Sequence, residues 1–150
     1  MKMNTDALDI IADVHPDVIN HNVETVKELQ KAVRPQADYE RSLNVLKYFK
    51  QKDKTLVTKT GFMVGLGETD EQINALLDDI LATGCDILTI GQYLQPTKEH
   101  YPLDRYATPE DFARYKKIAL EKGFLHVASA PLARSSYRAW EVLEGVNDLY

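Results

Sequence analysis

The hydrophobic and polar positions of the chain follow the spacing of helices in some segments and of buried strands in others. In residues 38–52, Leu43, Leu46 and Phe49 recur on one helix face, and lysines crowd the end where the helix dipole favours cations. Residues 108–123 have Thr108 at the N-cap, Pro109 in the first turn and a glycine at the end. Both segments are therefore predicted to be helices.

Three further helices are predicted, over 5–14 with Thr5 as the N-cap, over 25–33, and over 68–84 with Gly84 just past the end. Short apolar runs predict strands at 17–21, 55–67, 85–94 and 124–130. Strands alternating with helices at this spacing form right-handed βαβ units and a parallel sheet. The expected fold class is α/β, with about four parallel strands that leave two open edges, as in half of a barrel.

Composition narrows the class of protein. The 150 residues fit a single domain, and the net charge of −5 argues against nucleic acid as a partner. No apolar run is long enough for a membrane helix, and the first residues lack the apolar core of a signal peptide. Cys85 is the single cysteine, so no internal disulfide can form. These features predict a cytoplasmic protein without a membrane partner.

Polar side chains gather where the predicted strands end, which is the functional edge of parallel α/β folds. Asn22 and Glu24 follow the first strand and either cap a helix or bind a polar ligand. Gly65, Gly67 and Glu68 follow the second strand without the third glycine of a dinucleotide fingerprint or the lysine of a P-loop. This segment is either a tight structural turn or a place where backbone approaches a ligand.

Two more segments have open interpretations. Gln92 and Tyr93 end the third strand, where they could cradle a planar group or simply pack in the core. Ser135 and Ser136 stand in "PLARSSYRAW" without the glycine elbow or base of a serine nucleophile, so an N-cap for a final helix is the simpler interpretation. Cys85 is expected to be a small buried hydrophobic residue.

Several of these blocks occur in an order that resembles a known family. The blocks are "NHNVET", "VRPQADYERSLNVL", "TKTGFMVGLGET", "GCDILTIGQYLQP", "RYATPEDF" and "HVASAPLARSSYRA". Together they cover about 13–139 and resemble the C-terminal half of lipoyl synthase, a radical S-adenosylmethionine enzyme. The resemblance implies a half barrel of the radical-enzyme type over 1–150, with the Arg-Ser-Ser-Tyr segment in 131–150.

The resemblance also implies an activity. Lipoyl synthases insert two sulfur atoms into octanoyl chains bound to a lipoyl-carrier protein, and they use S-adenosylmethionine and [4Fe–4S] clusters. The serine of the C-terminal motif in that family ligates the auxiliary cluster, which implies Ser135 here, with Ser136 as the fallback. The residues implied to lie beside S-adenosylmethionine are Asn22, Glu24, Gly65, Leu66, Gly67, Glu68, Gln92 and Tyr93.

The chain departs from the family in one respect. Both cysteine motifs that hold the family's clusters are absent, so the isolated chain is expected to bind no cluster and to be inactive. It is then a truncated enzyme, one subunit of a split enzyme with a cysteine-bearing N-terminal half, or a non-catalytic half-barrel module that binds a ligand or partner. Open strand edges also predict self-association.

Overall fold

A parallel sheet of four strands with helices between them forms the part of the chain that the structure describes. The computed structural model describes residues 4–133. Its elements, in chain order, are α1 (Thr5–Val14), β1 (Ile19–Asn20), a 3₁₀ turn (Lys27–Leu29), α2 (Gln30–Val33), α3 (Tyr39–Lys52), β2 (Thr58–Val64), α4 (Asp70–Ala82), β3 (Ile87–Gln92), α5 (Pro109–Lys122) and β4 (His126–Ser129).

The strands lie in the order in which they occur in the sequence, β1-β2-β3-β4, and every neighbouring pair is parallel. Asn20 is opposite Lys59, Gly61 is opposite Thr89, and Thr89 is opposite Ala128. The predicted α/β class and the open parallel sheet are confirmed. Because β1 and β4 are both edges, the described sheet is part of a barrel rather than a closed one.

Side-chain caps define where the helices start. Thr69 and Thr108 each accept a hydrogen bond from the backbone three residues later, and each forms a capping box with Gln72 or Asp111. The predicted cap at Thr5 is wrong. Asn4 caps α1 by accepting a hydrogen bond from the backbone N–H of Ala7, and Thr5 is the first helical residue.

The segment after β1 differs most from the prediction. The expected helix over 25–33 is a 3₁₀ turn followed by one short α-helical turn, and the backbone of Val26 is extended. The side-chain amide of Gln30 donates to the carbonyl oxygens of Val23 at 2.6 Å and Thr25 at 2.9 Å, which holds this stretch in the extended form. The strand predicted over 17–21 is likewise only two residues long.

The core lies between the sheet and its helices. Alternate strand residues (Phe62 and Val64 in β2, Leu88 and Ile90 in β3, Val127 in β4) pack against the apolar faces of the helices. The intervening residues therefore occupy the opposite face of the sheet, and several of them are small or polar. No helix within residues 4–133 has the length and apolar character needed to cross a membrane.

Candidate functional site

A cavity of about 160 Å³ opens on the polar face of the sheet, near the carboxyl ends of β2 and β3. Small side chains make the space for it, because Gly61 and Gly91 stand where larger residues would fill it. The side chains that line it come from the segment after β1, from β2 and β3 and from the end of the described chain; those used below are Asn22, Glu24, Met63, Thr89 and Ala133.

Asn22 and Thr89 bring unpartnered polar atoms to this cavity. The side-chain oxygen of Asn22 and the hydroxyl oxygen of Thr89 are both buried and make no hydrogen bond. Buried polar atoms in folded proteins nearly always have a partner, since an unpartnered one costs about 1–3 kcal/mol. Two such atoms around one cavity therefore indicate a place where a ligand or water supplies the missing bonds.

The backbone of Glu24 is strained. Its φ of +79° lies in the left-handed region, which is uncommon for a residue with a side chain. Neighbouring β2 holds it there: the N–H of Glu24 donates to Gly61 at 3.1 Å, and its carbonyl accepts from Met63 at 2.9 Å. The carboxylate of Glu24 faces Arg34, whose guanidinium nitrogen is 3.7 Å away.

A second, wider cavity of about 660 Å³ adjoins the first, and Asn22 and Glu24 line both. Arg34 and Arg41 contribute cationic side chains to it, and the His21 ring nitrogen lies 3.3 Å from the Ser42 hydroxyl. Burial, followed by the nearby charge of Arg41, lowers the pKa of His21. The wider cavity is therefore polar, with its positive charge on the arginines.

The glycine segment after β2 is a turn that is closed by its own acid. Both carboxylate oxygens of buried Glu68 accept hydrogen bonds from the N–H of Gly65, at 3.0 and 3.2 Å, and one also accepts from Leu66 at 3.0 Å. Glu68 thus shapes the turn from inside. Thr69, rather than Glu68, opens the following helix.

Gln92 and Tyr93 fix the long loop that follows β3. The Gln92 amide nitrogen donates to the carbonyl oxygens of Tyr93 and Arg105, both at 3.0 Å, and its oxygen accepts from Ala107 at 2.8 Å. The Tyr93 hydroxyl donates to the carbonyl of Tyr101 at 2.6 Å, and burial raises its pKa. Both side chains therefore hold this loop against the sheet.

The chain after β4 turns back over the end of β3. The backbone N–H of Ala130 donates to the carbonyl of Ile90 at 3.1 Å. The backbone N–H of Gln92 donates to the carbonyl of Pro131 at 3.2 Å. This path brings Ala133 to the rim of the smaller cavity. Ser135, the predicted cluster ligand, and Ser136, its fallback, follow Ala133 by two and three residues and lie outside the described residues.

The cysteine lies at the other end of the sheet. Cys85 precedes β3, is 4% exposed, and directs its thiol at the carbonyl oxygens of Thr58 and Ile87. Burial raises its pKa to about 11. As predicted, Cys85 is a buried hydrophobic residue. Residues 4–133 contain no group of histidine, cysteine and acidic side chains able to hold a metal.

The sequence interpretation missed Gly61 and Thr89. Both lie inside strands, whereas functional residues were predicted only at strand ends. The available signal was the two-residue alternation of small or polar positions, Lys59 with Gly61 in β2 and Thr89 with Gly91 in β3. That alternation indicates a sheet face that is not packed like the opposite one.

Comparison with known proteins agrees with this architecture. The Radical SAM superfamily matches residues 1–80, more than half of the chain. The chain belongs to the radical SAM superfamily. SuiB of Streptococcus suis has a similar fold, with a TM-score of 0.65, 13% identity, and coverage of 87% of this chain and 30% of SuiB.

Curated lipoyl synthases are similar to nearly the whole chain. The relative from Rubrobacter xylanophilus is 57% identical over 95% of this chain and 44% of its own length. Those from Chlorobaculum parvum and Chlorobaculum tepidum are 54% and 53% identical, covering 95% and 97% of this chain and 48% and 50% of their own. The predicted resemblance is confirmed, and the chain spans about half the length of these relatives.

Radical SAM enzymes use S-adenosylmethionine and an iron–sulfur cluster, and these two groups fit the described residues differently. The smaller cavity offers unpartnered oxygens at Asn22 and Thr89 and a glycine-lined floor, which suits part of a nucleoside such as that of S-adenosylmethionine. An iron–sulfur cluster does not fit residues 4–133. The only thiol in this range, Cys85, is buried with a raised pKa, and it precedes β3 at the end of the sheet opposite the cavity.

Proposed function

We propose that the chain is the carboxyl-terminal part of a lipoyl synthase-type sulfurtransferase and supplies one wall of its S-adenosylmethionine site. The full enzyme inserts two sulfur atoms into an octanoyl chain carried by a lipoyl-carrier protein. Identity of 53–57% to lipoyl synthases over nearly the whole chain supports the proposal. Radical enzymes of this superfamily supply the hydrogen-atom abstraction that unactivated carbons require.

The observation that carries the proposal is the unpartnered side-chain oxygen of Asn22. It is buried at the junction of the two cavities, two residues before Glu24, whose backbone is strained. An amide oxygen accepts hydrogen bonds only, so it suits a hydroxyl or N–H group of the cofactor. Glu24, whose carboxylate faces Arg34, contributes a second acceptor on the same rim.

The other predicted site residues, in the Gly65–Glu68 turn and at Gln92 and Tyr93, are not among those that line the two cavities. The Gly65–Glu68 turn lies beside the loop that Gln92 and Tyr93 hold in place. The carbonyl of Gly65 accepts a hydrogen bond at 2.8 Å from the backbone N–H of Asp104, which is in that loop. Direct contact of these residues with S-adenosylmethionine remains a prediction. Their hydrogen bonds support a role in fixing the turn after β2 and the loop after β3, because Gln92 and Glu68 already use their polar atoms on backbone groups.

The clusters require groups from elsewhere. A cysteine-bearing N-terminal half would hold the cluster that cleaves S-adenosylmethionine, and Ser135, or Ser136 in its place, would be one ligand of the auxiliary cluster. The position of Ala133 at the cavity rim supports this assignment, because Ser135 follows it by two residues. We place the assembled enzyme in the cytoplasm, where thiols remain reduced.

The test is a fusion of this chain to the part of the Rubrobacter xylanophilus lipoyl synthase that it does not match. The fusion is reconstituted anaerobically with iron and sulfide, and incubated with an octanoylated carrier protein, S-adenosylmethionine and a reductant. We expect lipoyl groups on the carrier by mass spectrometry, and no product from the 150-residue chain alone.

Two variants sharpen this experiment. Asn22→Ala should weaken binding of S-adenosylmethionine about tenfold, because a buried hydrogen bond is lost. Asn44→Ala, on the exposed side of α3, should leave binding unchanged. A fusion that carries its full iron but forms no product would contradict the proposal. Retained binding of S-adenosylmethionine in that case would instead indicate a non-catalytic binding module.

A further inference from the structure

The chain that follows β1 carries one residue more than the strand beside it. Asn20 is opposite Lys59, and Glu24 is opposite Phe62. From the first pair to the second, the chain advances four residues on the β1 side and three on the β2 side. An extra residue on one of two neighbouring strands is a β-bulge, and bulges commonly change the direction in which a side chain points.

The change of direction occurs at Glu24. Residues directly opposite each other in a regular ladder project to the same face of the sheet. Phe62 packs in the core between the sheet and the helices, whereas the side chain of Glu24 lines the two cavities. This reversal coincides with the left-handed backbone of Glu24, where φ is +79°.

Gln30 bonds to the backbone of the bulge. Its side-chain nitrogen donates to the carbonyl oxygens of Val23 at 2.6 Å and Thr25 at 2.9 Å, on either side of Glu24. Gln30 is 4% exposed, and its side-chain oxygen makes no hydrogen bond. The amide therefore uses both donors and leaves its acceptor unused. A residue that only filled this space could be apolar, which would leave no buried oxygen without a partner.

The two peptide groups that flank Glu24 are both fixed. The group before it is held at its oxygen by Gln30 and at its nitrogen by the carbonyl of Gly61, at 3.1 Å. The group after it is held at its oxygen by the N–H of Met63, at 2.9 Å. Because peptide groups are planar, fixing both of them sets the φ and ψ of the residue between them.

We propose that Gln30 is a positioning residue for the candidate site, and that it holds Glu24 in the left-handed conformation that keeps the Glu24 carboxylate on the cavity rim. Gln30 lies between two of the sequence blocks that carry the family resemblance and belongs to neither. The inference rests on the proposed function, in which Glu24 is an acceptor for the cofactor.

The first test uses the unchanged 150-residue chain. The side-chain amide hydrogens of Gln30 should exchange with water at least about tenfold more slowly than those of exposed Gln36, because both are held in buried hydrogen bonds. A strong NOE between the amide hydrogen and the Hα of Glu24 should report its positive φ. Equal exchange at the two glutamines overturns the inference without any variant.

The second test is Gln30→Met, which keeps the length of the side chain and removes both donors. We expect the NOE within Glu24 to weaken and the N–H of Met63 to exchange at least about tenfold faster. The matched control is Thr25→Val, since Thr25 is fully buried in the same stretch and its hydroxyl makes no hydrogen bond. It should change the exchange of Met63 by less than about threefold. The N–H of Ile90 in β3 reports whether each variant is folded.

Glu24→Gly distinguishes positioning from packing. Glycine adopts a positive φ without strain, so residue 24 then no longer needs to be held. When Gln30→Met is combined with Glu24→Gly, the exchange of Met63 should stay within about threefold of Glu24→Gly alone. If Gln30→Met speeds this exchange equally in both backgrounds, Gln30 only fills space and the inference is overturned.

The last test connects Gln30 to binding. Each chain is titrated with S-adenosylhomocysteine, and the amide signals of Gly61 and Gly91 are followed by NMR. Gln30→Met should weaken binding about five- to tenfold, because the Glu24 carboxylate is on the rim in a smaller fraction of molecules, whereas Thr25→Val should not.

The outcomes separate the inference from the proposed function. If Gln30→Met changes the backbone at Glu24 but not the binding, the positioning role is overturned and the proposed function stands. If the unchanged chain shows no response to S-adenosylhomocysteine, the cofactor site of the proposed function fails. The exchange of the Gln30 and Met63 amides then still confirms or overturns the hold of Gln30 on Glu24.

Discussion

The ammonium group of Lys50 lies 2.6 Å from the carboxylate of Asp86. Lys50 also donates to the carbonyl of Leu56 at 2.6 Å, and the same Asp86 oxygen accepts from the N–H of Thr58 at 3.0 Å. The pair thus ties the end of α3 to the starts of β2 and β3. It lies at the amino edge of the sheet, opposite the candidate site.

We expect Lys50→Met to lower the free energy of unfolding by about 1–3 kcal/mol, because Asp86 and the Leu56 carbonyl lose their charged partner while they stay largely buried. Urea denaturation followed by circular dichroism measures this. Lys54→Met, at an exposed lysine in the adjoining loop, should change stability by less than about 0.5 kcal/mol. Equal effects of the two substitutions would show that the ion pair contributes nothing.

Gly65 should tolerate no side chain. Its φ is +99°, and an added Cβ would lie 2.4 Å from both the carbonyl oxygen of Arg105 and the amide nitrogen of Gln92. Gly65→Ala should therefore cost about 2–4 kcal/mol in thermal or urea unfolding. At Gly67, with a φ of +105°, the nearest atom is the Asp104 carboxyl carbon at 3.9 Å.

Gly67→Ala is thus the control for backbone strain without a clash, and it should cost only about 1 kcal/mol. A larger loss at Gly67 than at Gly65 would contradict the close packing of the turn against the loop after β3.

Asp111 should make stability depend on acid pH. Hydrogen bonds from the Thr108 backbone, then from the Arg105 side chain, hold the pKa of Asp111 well below its ordinary value of 3.8. A group with a lowered folded-state pKa stabilises the fold above its unfolded pKa, and the contribution is lost as the pH falls through the folded-state value.

Asp111→Asn should therefore be less stable than the unchanged chain at pH 7, and the difference should narrow as the pH falls below about 4. Urea unfolding at a series of pH values measures it. Glu110→Gln, in the same helical turn but exposed, should give a smaller loss at pH 7. A difference for Asp111→Asn that stays constant down to pH 2 would contradict the assignment.

Cys85 should resist thiol reagents in the folded protein. Its thiol is buried and its pKa is about 11, so little thiolate exists at pH 8. We expect reaction with Ellman's reagent at least about 100-fold slower in buffer than in concentrated urea. Since the chain has one cysteine, the signal belongs to this residue alone. A fast reaction in buffer would mean that the amino end of β3 opens readily.

Local chemistry made part of this structure predictable. Thr108 followed by Pro109 predicted the start of α5 correctly, because a capping hydroxyl and a fixed φ act within one turn. Gly84 past the end of α4 has a φ of +82°, in agreement with its predicted place. The resemblance to lipoyl synthases likewise came from short, distinctive blocks of sequence.

What depended on distant contacts was not predictable. The helix expected over 25–33 is interrupted because Gln30 bonds the preceding backbone instead of continuing a helix from Thr25. Thr89 became a candidate only when β2 placed Gly61 beside it. Helix periodicity and strand runs describe one segment at a time, whereas these features require two segments to meet.

The strict succession of strands has a consequence for how the protein is made. Each strand pairs with the one synthesised just before it. One helix, α4, connects β2 to β3, and one helix, α5, connects β3 to β4. As the chain leaves the ribosome, every new strand finds its neighbour already in place, and no pairing waits for a later segment. The described sheet therefore grows in the direction of translation, with each of β2, β3 and β4 added to the strand made before it.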